Sequence, residues 1–285
     1  MTISTPSANI ESEQSTHHAP GHLPADAIEH WRTERAYWLG RLAEHYEEAF
    51  GMSLDPLQSD DHATPGASVR IIQHGAKANP DAFFATGARA MLIYLRELSD
   101  HGVDPRNLGS VLDFGIGFGR LIRHWLPIGP ALFGTDVTEE AVAFCREHLG
   151  HRVDIHQNGS EPQLPYERGQ FGLIFANSVF THIRASNAHG WVEELARVLR
   201  PGGMAIISAL DENVHLTHVP ESVLDRSLRM HDGVYEWGRE IVAENYRYAT
   251  DEAERALWSP FFGVLEIRRH FKEQRHMILQ RNARS

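Results

Sequence analysis

The sequence predicts an α/β fold: a doubly wound, mostly parallel sheet of seven strands whose last strand is antiparallel. Three observations carry this reading. Short apolar runs alternate with stretches of helical periodicity, the pattern of strand–helix–strand units. The first two runs end on an acid, at Asp113 and Asp136. The first is followed at once by three glycines at every second position, Gly115, Gly117 and Gly119.

Composition sets the outer bounds. The chain has 285 residues, 42% of them hydrophobic, and a net charge of −11. That charge argues against non-specific binding to phosphate backbones or anionic membranes, so neither nucleic acid nor membrane is an expected partner. No apolar run reaches the length of a membrane span, and the first twenty residues lack the apolar core of a signal peptide. One cysteine, Cys145, cannot form an internal disulfide, and a reduced, cytoplasmic setting is the simple expectation. The 19 histidines show no metal-ligand spacing, so no metal site is expected.

Residues 1–23 are polar and expected to be a disordered tail. Residues 24–80 form an added N-terminal helix and loop. Ile28, Trp31, Trp38, Leu42 and Phe50 fall near one helical stripe, and Gly51 can end it. Such a helix could cap a site, pair two subunits into a homodimer, or cover core. Pro56, Pro65, Gly66 and Gly75 mark a loop, with Val69–Ile72 as a brief extended piece.

The main domain spans 81–285. Asp81 can cap a helix carrying Phe84, Ala88, Met91, Leu92, Leu95 and Leu98, with Gly102 at its end. Val111 and Leu112 begin the central strand. The Gly-rich turn lets backbone approach a ligand, and Leu121, Ile122 and Trp125 are expected to open a helix whose free N–H groups face that ligand. Ala131–Asp136 forms the second strand and Asp136 lies seventeen residues past Gly119. Its carboxylate could accept both hydroxyls of a ribose or could cap the next helix, for which Thr138 is the better N-cap. Val153 and Ile155 mark the third strand, before Asn158-Gly159. Phe171–Ala176 is the fourth and ends at Asn177. Trp191, Leu195, Val198 and Leu199 give an amphipathic helix. Arg200–Gly203 turns into the fifth strand, Met204–Ser208.

Residues 211–257 are acidic and expected to be a helical cap insertion before the last two strands. Tyr235, Trp237, Tyr246 and Tyr248 could line a pocket there or simply pack. Phe261–Ile267 and His276–Leu279 read as a closing antiparallel pair. The arginines of this end, including Arg268, Arg269, Arg275 and Arg281, read as a solvated face.

The glycine spacing does not fit the dinucleotide fingerprint, because the third glycine comes one position early. The run Leu112-Asp113-Phe114-Gly115-Ile116-Gly117-Phe118-Gly119-Arg120 instead resembles the first motif of class I S-adenosylmethionine-dependent methyltransferases. Ser178-Val179-Phe180-Thr181-His182 resembles a form found in a subset of that class rich in small-molecule and sugar-related enzymes. The helix followed by Leu199-Arg200-Pro201-Gly202-Gly203 and a strand is a further match, and the resemblance covers about residues 84–210. It implies a Rossmann-like fold and S-adenosylmethionine as cofactor.

By that resemblance Asp113, Gly115, Gly117, Gly119, Asp136, Val137, Asn158, Gly159 and Asn177 surround the cofactor. Asn158-Gly159 stands where many members have Gly-Asp at the adenine ring, and an asparagine amide can still donate and accept there. Gly172 stands where the common form has Asp. Arg120 could meet the cofactor's carboxylate or face solvent. His182 could be the base for a hydroxyl acceptor or could pack. Asn177-Ser178-Val179-Phe180 lacks the two prolines of enzymes that methylate exocyclic amines of bases or glutamine. The expected function is methyl transfer to a small-molecule acceptor, at oxygen rather than nitrogen. The competing readings are a catalytically silent cofactor-binding regulatory protein and an NAD(P)-dependent oxidoreductase.

Overall fold

The computed structural model describes residues 25–57, 63–65, 79–211, 233–238, 245–270 and 274–283. The expected tail at 1–23 and the extended piece at 69–72 lie outside them.

The chain opens with α1 (Ala25–Phe50), which buries Leu42, Tyr46 and Phe50. The expected stripe is thus buried only in its C-terminal half; Ile28 remains exposed. This half lies on α2 (Pro80–Asp100), and Tyr46 donates its hydroxyl to the His124 carbonyl at 2.6 Å. Of the three roles open to the helix, the described contacts show it covering core. Asn79, not Asp81, caps α2: its Oδ1 accepts from the Asp81 N–H at 2.7 Å, with Pro80 in the first turn. Asp81 instead pairs with Arg35 of α1 at 2.8 Å.

Four parallel strands come next: β1 (Ser110–Phe114), β2 (Ala131–Asp136), β3 (Val153–Gln157) and β4 (Phe171–Ala176), with α3 (Glu139–Leu149) between β2 and β3. Helix α4 (Ala185–Val198) leads to β5 (Leu199–Asp211). Strands β6 (Val234–Gly238) and β7 (Asn245–Ala249), helix α5 (Asp251–Trp258), and strands β8 (Phe262–Arg269) and β9 (Gln274–Arg281) complete the chain.

Seven strands run in the order β3-β2-β1-β4-β5-β9-β8, with β9 antiparallel to β5 and to β8. That is the expected sheet. The described residues add two strands to it. The β6–β7 hairpin attaches to the far end of β5, through Leu210 opposite Tyr248 and Asp211 opposite Ala249. The insertion at 211–257 is therefore not wholly helical: its described part is a hairpin followed by α5. Tyr235 and Trp237 alternate on one strand, Tyr246 and Tyr248 on the other, which is the period of a strand. The side chains of Tyr235 and Trp237 lie outside the described residues.

Alternate residues of each strand enter opposite layers. Val111, Phe175, Ile206 and Ile278 join α1, α2 and α3 on one face. Leu112, Ile174, Ile207 and Leu279 join α4 and α5 on the other. The helix expected after the Gly-rich turn is instead one short 3-10 turn, Ile122–Trp125. Pro127 explains the difference, since its missing N–H and its ring cannot continue a helix.

The hairpin is tied to α5 by a buried ion pair. Arg247 Nη1 lies 2.6 Å from Glu254 Oε1, and Glu254 Oε2 accepts from Trp258 Nε1 at 3.0 Å. The Arg247 N–H donates to the Thr181 carbonyl at 2.7 Å, just beyond β4. The arginines expected on a solvated face are also drawn inward: Arg275 is fully buried and reaches Asp251, and Arg281 is buried against the Leu199 carbonyl. An Arg247→Ala change leaves the Glu254 carboxylate buried and uncompensated. It is expected to cost about 3–5 kcal/mol of stability, read from urea unfolding; a loss below about 1 kcal/mol would contradict this account of the hairpin.

Candidate functional site

Parallel register brings the ends of β1, β2, β3 and β4 to one edge. Asp113 stands opposite Gly134 and Phe175, Asp136 opposite Gln157, and Ala176 opposite Ile207. A cavity of about 400 Å³ opens there. Of the residues expected from sequence, Gly115, Asp136, Val137, Asn158, Gly159, Asn177 and His182 line it. Asp113, Gly117, Gly119 and Arg120 are not in the lining. They form and flank the Gly-rich turn beside it.

The turn is held from three sides. Gly115 and Ile116 donate to the Thr135 carbonyl at 2.8 and 2.9 Å. Gly117 N–H donates to Asp136 Oδ2 at 2.8 Å. The Cys145 thiol reaches the Gly117 carbonyl at 3.2 Å, and burial pushes that thiol up to about 12, so it stays protonated and unreactive. All three glycines have positive φ, +82°, +52° and +71°. At Gly115 a Cβ would also stand 2.2 Å from Val179 Cγ2, so the turn and the β4 loop close on each other only without a side chain.

Two supports were not legible in the sequence. Arg123 is fully buried and donates from Nε to the Gly119 carbonyl at 2.8 Å, with its guanidinium over Phe83 and Phe84. Gly87 of α2 lets the Arg120 carbonyl approach to 2.5 Å from where a Cβ would be. Neither residue carries a local signal; only the packing of α2 on the turn reveals them.

Asp136 serves both roles weighed for it. Its Oδ1 accepts from the Thr138 N–H at 2.9 Å, at the start of α3, while Oδ2 holds the Gly-rich turn. Each carboxylate oxygen has a second lone pair, so acceptor capacity remains toward the cavity. Asn158 is more committed. Its Oδ1 accepts from Thr135 Oγ1 at 2.6 Å and its Nδ2 donates to the Gly159 carbonyl at 2.8 Å, which leaves one N–H for a ligand. Past β4, Ser178 adopts φ +60°. Ser208 Oγ accepts its N–H at 2.6 Å, Gln274 Nε2 donates to its Oγ at 2.9 Å, and its carbonyl accepts from Thr181 Oγ1 at 2.8 Å. A non-glycine residue in this region persists only when its surroundings over-determine it. His182 follows on that corner, half-buried, its ring 5.2 Å from that of Tyr246 on β7. Phe114, Val179, Ile183 and Trp191 supply the cavity's apolar wall.

Electrostatics single out the turn. Asp113 is 3% exposed, and no donor among the described residues pairs with its carboxyl. Burial first, then the charge of Asp136, push that carboxyl well above the usual carboxylate range, against a smaller pull from Arg120. Arg120, half-buried, carries no ion pair among the described residues. A buried carboxyl with no donor and a half-buried guanidinium with no ion pair among the described residues thus stand beside a bare backbone turn, a set that suits the ammonium and carboxylate of an amino acid.

The raised Asp113 has a consequence for stability. In the unfolded chain an aspartate titrates near 3.9. Where the folded carboxyl still holds its proton, the unfolded one has lost it. The contribution to stability is present below about pH 4 and is lost as pH rises through the folded value. Asp113→Asn removes the titration. Without ligand, the variant is expected to melt above the parent at neutral pH, the two converging near pH 4. A gap independent of pH would contradict the assignment.

With the geometry in place, comparison with known proteins adds to it. A family model described as a methyltransferase domain matches residues 112–207, the interval from β1 to β5. A ubiquinone biosynthesis O-methyltransferase of Aromatoleum aromaticum is 30% identical over 115 residues, covering 38% of this chain and 48% of the relative. Another, of Bradyrhizobium sp., is 26% identical over 234 residues, covering 72% and 90%. The chain spans about half the length of the first of these relatives. Among solved structures, the 1,6-didemethyltoxoflavin-N1-methyltransferase of Burkholderia thailandensis, with S-adenosylhomocysteine bound, superposes with a TM-score of 0.51 at 16% identity, over 93% of this chain and 94% of that one. A protein of Pyrococcus horikoshii superposes with a TM-score of 0.53 at 16% identity, over 68% and 91%. At such identity these structures speak for the fold alone, and residues 112–207 are similar to a methyltransferase domain.

Proposed function

We propose that the protein transfers the methyl of S-adenosylmethionine to an oxygen of a small-molecule acceptor. The observation that carries this reading is one cavity joining the Asp136 carboxylate and the Gly115 backbone at one end to His182 at the other. The names of the two O-methyltransferase relatives favour oxygen over nitrogen.

When bound, S-adenosylmethionine supplies a methyl on a sulfonium, activated for in-line displacement. The chain supplies position. Asp136 accepts from the ribose hydroxyls, Asp113 and Arg120 take the ammonium and carboxylate, and Gly115 gives the backbone room. Asn177 and the Ser178 corner define the wall where the acceptor meets the methyl. Phe114, Ile183 and Trp191 hold an apolar acceptor and exclude water, which brings nucleophile and methyl into line. His182 takes the hydroxyl proton on an imidazole nitrogen as the oxygen attacks. The β6–β7 hairpin, through Tyr246 against His182, holds that ring in place.

Asp136→Ala is expected to weaken cofactor binding by roughly 10- to 1000-fold in calorimetry, since hydrogen bonds to a charged group contribute about 1.5–3 kcal/mol each; unchanged affinity would remove the ribose assignment. His182→Ala is expected to lower turnover of a phenolic acceptor by about 100-fold or more with cofactor affinity unchanged. Lost folding, or undiminished turnover, would return His182 to a packing role. Transfer of labelled methyl to a panel of hydroxyl acceptors separates an enzyme from a silent cofactor-binding protein: no transfer to any of them would favour the latter.

A further inference from the structure

One cluster lies outside the cavity and has no part in the mechanism above. Glu97 sits on the inner face of α2 and is fully buried. His270 follows β8, and His276 lies on β9 opposite Ser208. His270 Nε2 is 2.6 Å from Glu97 Oε1; His276 Nδ1 is 2.9 Å from Oε1 and 3.1 Å from Oε2. One ligand atom from each residue falls within 4.8 Å of the other two. The histidines stand only six residues apart, yet Glu97 is more than 170 residues upstream, so sequence spacing gave no sign of a site.

We propose that Glu97, His270 and His276 bind one first-row divalent cation, zinc being the probe of choice, and that the ion clasps α2 to the β8–β9 pair. Two imidazole nitrogens and a carboxylate oxygen are a ligand set suited to such ions, and they leave positions open for water. Donors about 3 Å apart need little movement to surround an ion at bond lengths of about 2.0–2.2 Å. Two histidine rings converge on a single carboxylate oxygen, and no lysine or arginine among the described residues pairs with this buried acid. His270, with 22% of its side chain exposed, gives the ion a way in. The backbone carbonyl of Glu97 meanwhile accepts from His101 Nδ1 at 2.8 Å, so that ring braces the turn of α2 that presents the ligand.

The clasp also bears on the site. Tyr94 lies one turn before Glu97, its ring is 4.9 Å from that of His276, and its hydroxyl points at Asn177 Oδ1 at 3.5 Å. A bound ion would therefore hold Tyr94 behind Asn177 of the cavity wall without touching the cofactor.

The test uses the full chain, stripped with chelator and titrated with zinc chloride by calorimetry beside His270→Asn and Glu97→Gln. The parent is expected to show one saturable site per chain, and His270→Asn to bind about 100-fold more weakly or not at all. Comparing the two removes the background from the other histidines. His270 is partly exposed, so this variant is expected to keep its fold, checked by circular dichroism, even if Glu97→Gln does not. Zinc at about 100 times its dissociation constant is expected to raise the melting temperature of the parent by about 5 °C and that of His270→Asn not at all. Absence of a saturable site in the parent, or equal affinity and equal thermal shift in His270→Asn, would overturn the proposal and leave a hydrogen-bonded triad.

Discussion

The site depends on one carboxylate that bridges two strands. Asp136, at the end of β2, accepts from Gly117 on the turn after β1 and from Thr138 at the start of α3. These bonds set the distance between the Gly-rich turn and the next βα connection. The turn is otherwise poorly supported by its own residues, since each glycine gives up backbone order that a side chain would bring. Order is supplied from outside, by the Thr135 carbonyl, by Arg123 from the 3-10 turn, and by Cys145 from α3.

The second end of the cavity rests on a different principle. The Ser178 backbone is strained, and three neighbours hold it: Ser208 on β5, Gln274 at the start of β9, and Thr181 within the loop. Two of these come from strands on the far side of β4, so the corner reads the packing of the whole right half of the sheet. The hairpin adds a further layer by bonding to Thr181 and by placing Tyr246 on His182. The insertion and the site are therefore mechanically joined. Beside the Gly-rich turn, the Asp113 carboxyl is buried without a donor and Arg120 carries no ion pair among the described residues.

Much of this was legible in the residues. The apolar runs at 110–114, 131–136 and 171–176 give strands because helices cover both faces of the sheet. Seven of the residues expected from the glycine turn, the acid ending β2 and the family resemblance lie on the cavity wall. What escaped was set by contacts distant in sequence or by a competing local rule. Pro127 cut short a helix that Leu121, Ile122 and Trp125 suggested. Asn79 before Pro80 was a better cap than Asp81, because it leaves Asp81 free for Arg35. The alternating aromatics of the hairpin were outweighed by the acidic, helix-forming composition around them. Arg275 and Arg281 looked solvated from composition, yet strand pairing carried them inside. Glu97, His270 and His276 meet only because β9 returns antiparallel beside β5 and under α2.

The most direct measurement is a crystal structure of the protein soaked with S-adenosylhomocysteine. The account requires the ribose at the Asp136 carboxylate, the amino-acid end over the Gly115–Gly119 backbone near Asp113 and Arg120, and the sulfur turned toward His182. The nucleoside bound elsewhere, or that turn left empty while a nicotinamide dinucleotide fills it, would contradict it.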